Sequence, residues 1–281
     1  MFKSILRNEF LRSFLNLKIL GVFIIFAGVF LHIFYLEREA TIDPIKYDFY
    51  NTYLKTMGYG CFSYMPMILP IIACLVCGNS LFQDISSGYV KFVLTRINYK
   101  KYINYKMIAV SIVTFTALVL FQLAGFLYSY ITCSSYEKGD PQGDPMFLAD
   151  IFQSYPLMYI IISIIIIAFV GTSITMVSMA LSIRFKSVYT VVSTPWILCM
   201  LIGQGISLLA SYIPVHIFSY GPVRMAGYFM YEQPFSIIVP FIYWGILYAA
   251  GYIITLYQFS VIYSGKKSLF KSNNKLAIQI K

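Results

Sequence analysis

The sequence predicts an all-α integral membrane protein of six transmembrane helices with both termini in the cytoplasm. Three observations predict it. Only 11% of the 281 residues are charged while 59% are hydrophobic, and mean hydropathy is +0.74. A soluble domain carries about a quarter charged residues to cover its water-facing surface. Six charge-free apolar runs, 19–36, 61–81, 107–131, 156–183, 188–210 and 237–262, are each long enough to cross a hydrocarbon core of about 30 Å at about 1.5 Å per helical residue. Irregular backbone cannot face lipid, so each run must be helical. Finally, with the N-terminus inside, the inner segments hold sixteen Lys and Arg against five outside, and the acids divide two to nine the other way. That asymmetry obeys the positive-inside rule. The net charge of +10 therefore belongs to a membrane face, against anionic headgroups or a protein partner, and nucleic acid is excluded as a partner.

Residues 1–18 place Phe2, Ile5, Leu6, Phe10, Phe14 and Leu17 near one helical face and Lys3, Arg7, Glu9, Arg12, Ser13 and Asn16 on the rest. This is the pattern of an amphipathic interfacial helix. The first run, 19–36, is too long for a signal-peptide core and lacks an A-x-A-like cleavage site, so it reads as a retained span. In the second run Cys74 and Cys77 form a C-x-x-C with no further Cys or His nearby to complete a zinc site; they read as packing residues. Cys61 and Cys133 both fall near the outer surface and could pair.

The loop 82–106, FQDISSGYVKFVLTRINYKKYINYK, carries Lys91, Arg96, Lys100, Lys101 and Lys106 against one acid, Asp84. Asp84, Ser86 and Ser87 precede a short helix, and Gly88 supplies a joint. Val90, Val93, Leu94 and Ile97 then recur at helical spacing, with Lys91, Thr95 and Arg96 elsewhere on the wheel. Either this helix grips an intracellular partner or it lies on the membrane with snorkelling lysines. The outer loop 132–155 combines Glu137, Asp140, Asp144 and Asp150 with Gly139, Pro141, Gly143 and Pro145, the chemistry of a solvated turn. Residues 211–236 are apolar and aromatic, but Pro214, Gly221, Pro222 and Pro234 forbid one continuous helix. Two short pieces re-entering the outer leaflet fit, as does an aromatic belt at the surface. A basic tail, 263–281, closes the chain.

The chemistry these spans lack narrows the function. None carries a charged side chain, which argues against an ion-coupled carrier. Their polar residues include His32, Asn79, Gln122, Gln204 and Gln258; His32 reads as interfacial and the amides as bridges between helices. With two histidines and no acid within a span, no catalytic constellation assembles at membrane depth. A phosphate-binding loop is absent too: around Gly265-Lys266 the motif needs glycine where Ser260 stands and Ser or Thr where Lys267 stands. Energy for any pumping must come from another polypeptide.

Taken together, the chain resembles the permease subunits of ABC-2-type (type V) ATP-binding cassette exporters over essentially its whole length. The most specific match is the loop, where Asp84, Gly88, Lys91, Val93-Leu94, Thr95, Arg96, Lys100 and Lys106 follow the family pattern of acid, glycine, basic-aliphatic run, small polar residue and further basic residues. Ile97 stands where proline or glycine is common, and Lys100 replaces a frequent arginine. The resemblance implies one permease domain, with residues 1–18 interfacial, 19–262 spanning and 263–281 a cytoplasmic tail. It also implies that 88–98 form a coupling helix docking a separate ATPase. Asp84, Gly88, Val90, Lys91, Val93, Leu94, Arg96, Ile97 and Lys100 would form that site, with Val90, Val93, Leu94 and Ile97 as the gripping face. ATP and Mg²⁺ would be bound by the partner and no cofactor by this chain. A second permease, identical or homologous, would complete the path. Pro66 and Pro70 would localise bending of span two, and Ala168-x-x-x-Thr172 and Gly245-x-x-x-Ala249 would allow close helix packing. Low-GC Gram-positive relatives imply a bacterial plasma membrane and an amphipathic or antimicrobial peptide as cargo. A lipid or drug-like cargo, or a membrane immunity protein that binds without transport, stays open.

Overall fold

The tertiary structure, a computed structural model, describes residues 7, 10–12, 17–40, 48–59, 63–133, 149–185, 187–210 and 238–264; of 40, 59, 149, 150, 202–210, 238–240, 263 and 264 it describes the backbone. Every regular element among them is helical: α1 Leu17–Ala40, α2 Phe49–Leu54, α3 Met65–Ala73, α4 Ser80–Ser86, α5 Tyr89–Leu94, α6 Tyr99–Thr132, α7 Ala149–Ser154, α8 Pro156–Ser182, α9 Val188–Ala210 and α10 Ile238–Ser264. Four of them, α1, α6, α8 and α10, are long and apolar enough to cross a bilayer, and the bent pair formed by Met65–Gly78 and Ser80–Ser86, span two of the expected six, makes a fifth when counted as one span. In α9 the apolar stretch covers Val188–Leu201. This is the make-up of a multi-pass membrane protein. Its outward side chains agree, with Leu20, Ile24, Ile246 and Ile253 all more than half exposed, a surface that lipid tolerates and water does not. The expected interfacial helix is described only at 7 and 10–12, where the chain is helical. The segments 134–148, 211–236 and 265–281, with the re-entrant piece expected in the second, lie outside the described residues, as does Cys61.

The bundle is built around α8. It is apolar all round, and 72% of its spanning stretch is buried, against 28% for α1 and 17% for α10. Backbones approach it where side chains are smallest. A Cβ on Gly171 would sit 2.3 Å from Leu118 Cδ1, one on Gly78 2.7 Å from Ser178 Oγ, and one on Gly251 2.9 Å from the Met176 carbonyl carbon. Close approach of this kind is the main source of helix association in lipid, where apolar burial offers no net drive. At Gly245 the expected packing step meets no neighbour among the described residues of the chain: a Cβ there has nothing within 4 Å. Ala168 and Thr172 are both buried. Hydroxyls survive at this depth by bonding back along their own helix, as from Thr172 Oγ1 to the Ala168 carbonyl at 2.8 Å and from Thr255 Oγ1 to the Gly251 carbonyl at 2.7 Å. Gln122 bridges helices as expected, its Nε2 donating to the Leu118 and Ile164 carbonyls, each at 3.3 Å.

Span two bends, but not at its prolines. Pro66 occupies the first turn of α3, where a missing N–H costs nothing, and Pro70 lies inside that helix. The 41° change of direction falls between Met65–Gly78 and Ser80–Ser86. There a widened π turn, Cys74–Gly78, precedes Asn79. Thr175 Oγ1 from α8 donates to the Ala73 carbonyl at 3.1 Å, satisfying an acceptor at the start of the irregular turn. At one end of the bundle α2 and α7 lay aromatic rings over α6 and α8, including Phe49–Tyr130 at 5.0 Å, Tyr53–Phe126 at 5.5 Å and Phe152–Tyr159 at 5.4 Å. The basic loop lies at the opposite end.

Candidate functional site

The loop folds as two short helices divided by a glycine. Ser87 ends α4, and Gly88 follows with φ +75° and ψ 0°, the left-handed conformation that L side chains adopt only under strain. Its N–H donates to the Ile85 carbonyl at 3.2 Å and its carbonyl accepts from Lys91 N at 3.0 Å, closing one helix and opening the next. After α5, Thr95 Oγ1 donates to the Phe92 carbonyl at 2.8 Å. Asn98 then caps α6, its side chain accepting from Lys100 N at 3.1 Å. α6 thus begins eight residues before the expected third span and carries Lys100, Lys101 and Lys106 within its first turns.

Beneath the loop lies a buried ion cluster. The Asp84 carboxylate, 1% exposed, holds Lys106 Nζ at 2.8 Å and accepts from the Tyr102 hydroxyl at 2.8 Å, both at Oδ2. Arg12 pairs with its Oδ1. Lys106 is itself 1% exposed. An isolated charge could not be kept at such depth; here the opposite charges and the tyrosine hydroxyl replace the lost water. The Arg12 guanidinium also stacks over the Tyr89 ring at 4.5 Å. One carboxylate therefore ties together the N-terminal segment, the α4 end of span two and the start of α6, and through Arg12 it reaches α5. The start of α6 is tied in turn to the end of α10. Tyr102 packs on Phe259 with ring centroids 6.0 Å apart, and the Tyr252 hydroxyl donates to Asn104 Oδ1 at 3.0 Å.

The residues expected at the docking site divide into two layers. Asp84 and Val90 are both 1% exposed, and Val93 and Leu94 are half-buried against the core. The apolar stripe of α5 is thus turned onto the protein's own spans. Lys91, Phe92, Thr95, Arg96 and Lys100 face outward, and Ile97 is half-buried at the edge. Phe92 is 59% exposed, with the Arg96 guanidinium 4.8 Å above its ring. An open groove of about 510 Å³ runs along Leu94–Tyr99. Periodicity identified the amphipathic helix but could not tell which face the spans would occupy. It also missed Arg12, Tyr89, Phe92 and Tyr102. A signal for part of this existed: Tyr102 and Lys106 stand four apart on one helical face, downstream of the loop's only acid.

Among the described residues no group of three or more His, Cys, Asp and Glu could hold a metal ion. No protein-family model matches the chain, and no curated protein matches it.

Proposed function

We propose that the chain is the permease subunit of an ATP-driven exporter of the ABC-2 class, in which the basic loop docks a separate cytoplasmic ATPase. One observation carries this reading: α5 presents an exposed aromatic ring, Phe92, flanked by Lys91 and Arg96, while its underside is fastened through Arg12 and the Asp84 cluster to the N-terminal segment, span two and α6. Aromatic and arginine side chains are the usual anchors of protein interfaces. A helix held rigidly from beneath can pass a push on its outer face to the spans, as a plain surface helix cannot. The four long helices and the bent pair, with α9 as a sixth crossing, would form half of the transporter, and a second permease would complete it in a bacterial plasma membrane. The ATPase supplies the nucleotide chemistry. An amphipathic or antimicrobial peptide is the favoured cargo, since beyond the charged ends of the helices the described spans carry aromatic, Met, Ser and Thr side chains.

The test is a search of the neighbouring reading frames for an ATPase with a phosphate-binding loop, followed by its co-purification with this chain and its stimulated hydrolysis. Phe92→Ala, and separately Lys91→Glu with Arg96→Glu, should each weaken the complex by about 2 kcal/mol, roughly 30-fold in affinity. Thr95→Ala should leave it intact. A complex and ATPase rate unchanged by both variants would remove the docking assignment.

A further inference from the structure

A small half-open cavity lies between the N-terminal segment, the entry to α1, the bend of span two and α6. Arg12, Lys18, Asn79, Ser80, Gln83 and Lys106 line it, with Val76 and Cys77 behind. Its polar lining therefore brings together three cationic side chains and three neutral hydrogen-bonding groups from four separate stretches of chain. Among the described residues no carboxylate lines it, because Asp84 is bonded to Arg12, Lys106 and Tyr102 alongside. Ser80 Oγ is buried there without a hydrogen-bond partner, and such a group calls for a ligand or a water.

We infer that this cavity is a phosphate-binding site at the inner face of the membrane, its occupant the phosphate of an anionic lipid headgroup or a free phosphate. A phosphoryl oxygen only accepts hydrogen bonds, which suits a lining of ammonium, guanidinium, amide and hydroxyl donors. The size fits a group that enters part-way. About 30 Å³ is open to the centres of water-sized atoms, room for roughly two of them. Two phosphate oxygens can seat while the ester remains outside. The depth fits as well: Lys18 stands at the entry of α1 and is exposed, whereas Lys106 is buried in the protein. A headgroup would meet the first lysine at the surface and the second inside. Basic pockets between spans on the cytoplasmic side are recognised sites for anionic headgroups. Occupancy would clamp the N-terminal segment to α1 and α6 and add a lipid contact to the Asp84 cluster. The inference stands whether or not the loop docks an ATPase.

The experiment uses the full chain in detergent. Its thermal unfolding is followed with added phosphatidylglycerol, phosphatidylcholine or inorganic phosphate, and lipid retention is read by native mass spectrometry. Phosphatidylglycerol should raise the midpoint and stay bound where phosphatidylcholine does neither. Lys18→Gln, at an exposed position that leaves the fold intact, should lower the apparent affinity about fivefold, and Ser80→Ala should lower it too. A shift of the same sensitivity with inorganic phosphate alone would support the site and assign it to the free ion. No shift with either ligand, or shifts that both variants leave unchanged, would overturn the inference.

Discussion

At Asp84, Lys106, Arg12 and the Tyr102 hydroxyl converge on a carboxylate that keeps 1% of its surface exposed. Removing one member of a buried pair leaves the other charge uncompensated, which costs about 3–5 kcal/mol. Asp84→Asn should therefore lower the unfolding midpoint sharply. Lys106→Met in the same chain should recover part of the loss, because the pair is then removed together. A double variant no more stable than Asp84→Asn would show that the two do not act as a pair. The sequence made Asp84 conspicuous as the one acid of a basic loop, but it gave no measure of its depth. Depth depends on Lys106 and Arg12 arriving from 22 residues downstream and 72 residues upstream, and neither separation leaves a local mark.

Helices in this bundle meet through missing side chains, and the sequence lists more glycines than the fold uses. Gly245 and Gly251 lie on the same helix, α10, yet only Gly251 touches a backbone, that of Met176 and Val177 in α8. Gly251→Ala should destabilise by about 1–3 kcal/mol through overpacking. Gly245→Ala should be neutral or stabilising, since the methyl group enters open space and removes a weak helix former. Thermal unfolding of the two variants side by side checks this, and equal losses would contradict the crossing. The bend of span two gives the same lesson in reverse. Pro66 and Pro70 advertised a kink, but the direction changes at Asn79, directly after the turn Cys74–Gly78, where Gly78 lets Ser178 of α8 press against that turn. Contact between helices, which no local propensity encodes, set the position. For α5 the stripe of Val90, Val93 and Leu94 was legible as a period. Its direction was not, because lipid, a partner and the protein's own core all accept an apolar face.

Across the whole molecule the two ends are chemically distinct. Arg12, Asp84, Lys91, Arg96 and Lys100 gather at one end, and the rings of Phe49, Tyr50, Tyr130 and Phe152 close the other. Lys101 and Tyr155, both exposed, mark these ends. With Lys101→Cys, a membrane-impermeant maleimide should label intact cells weakly and permeabilised cells fully. With Tyr155→Cys, labelling should be complete from outside. The same accessibility for both positions would contradict the orientation. The sequence by itself determined the solvent of this protein, the long apolar helices and the polarity of its loops, because hydropathy and charge asymmetry are sums over residues that need no knowledge of neighbours. Only the tertiary structure decided that Asp84 faces inward to Lys106, that α5 exposes Phe92 rather than Val90, and that span two bends at Asn79. Each of these turns on which distant side chain occupies the space beside it, and that space exists only once the helices have packed.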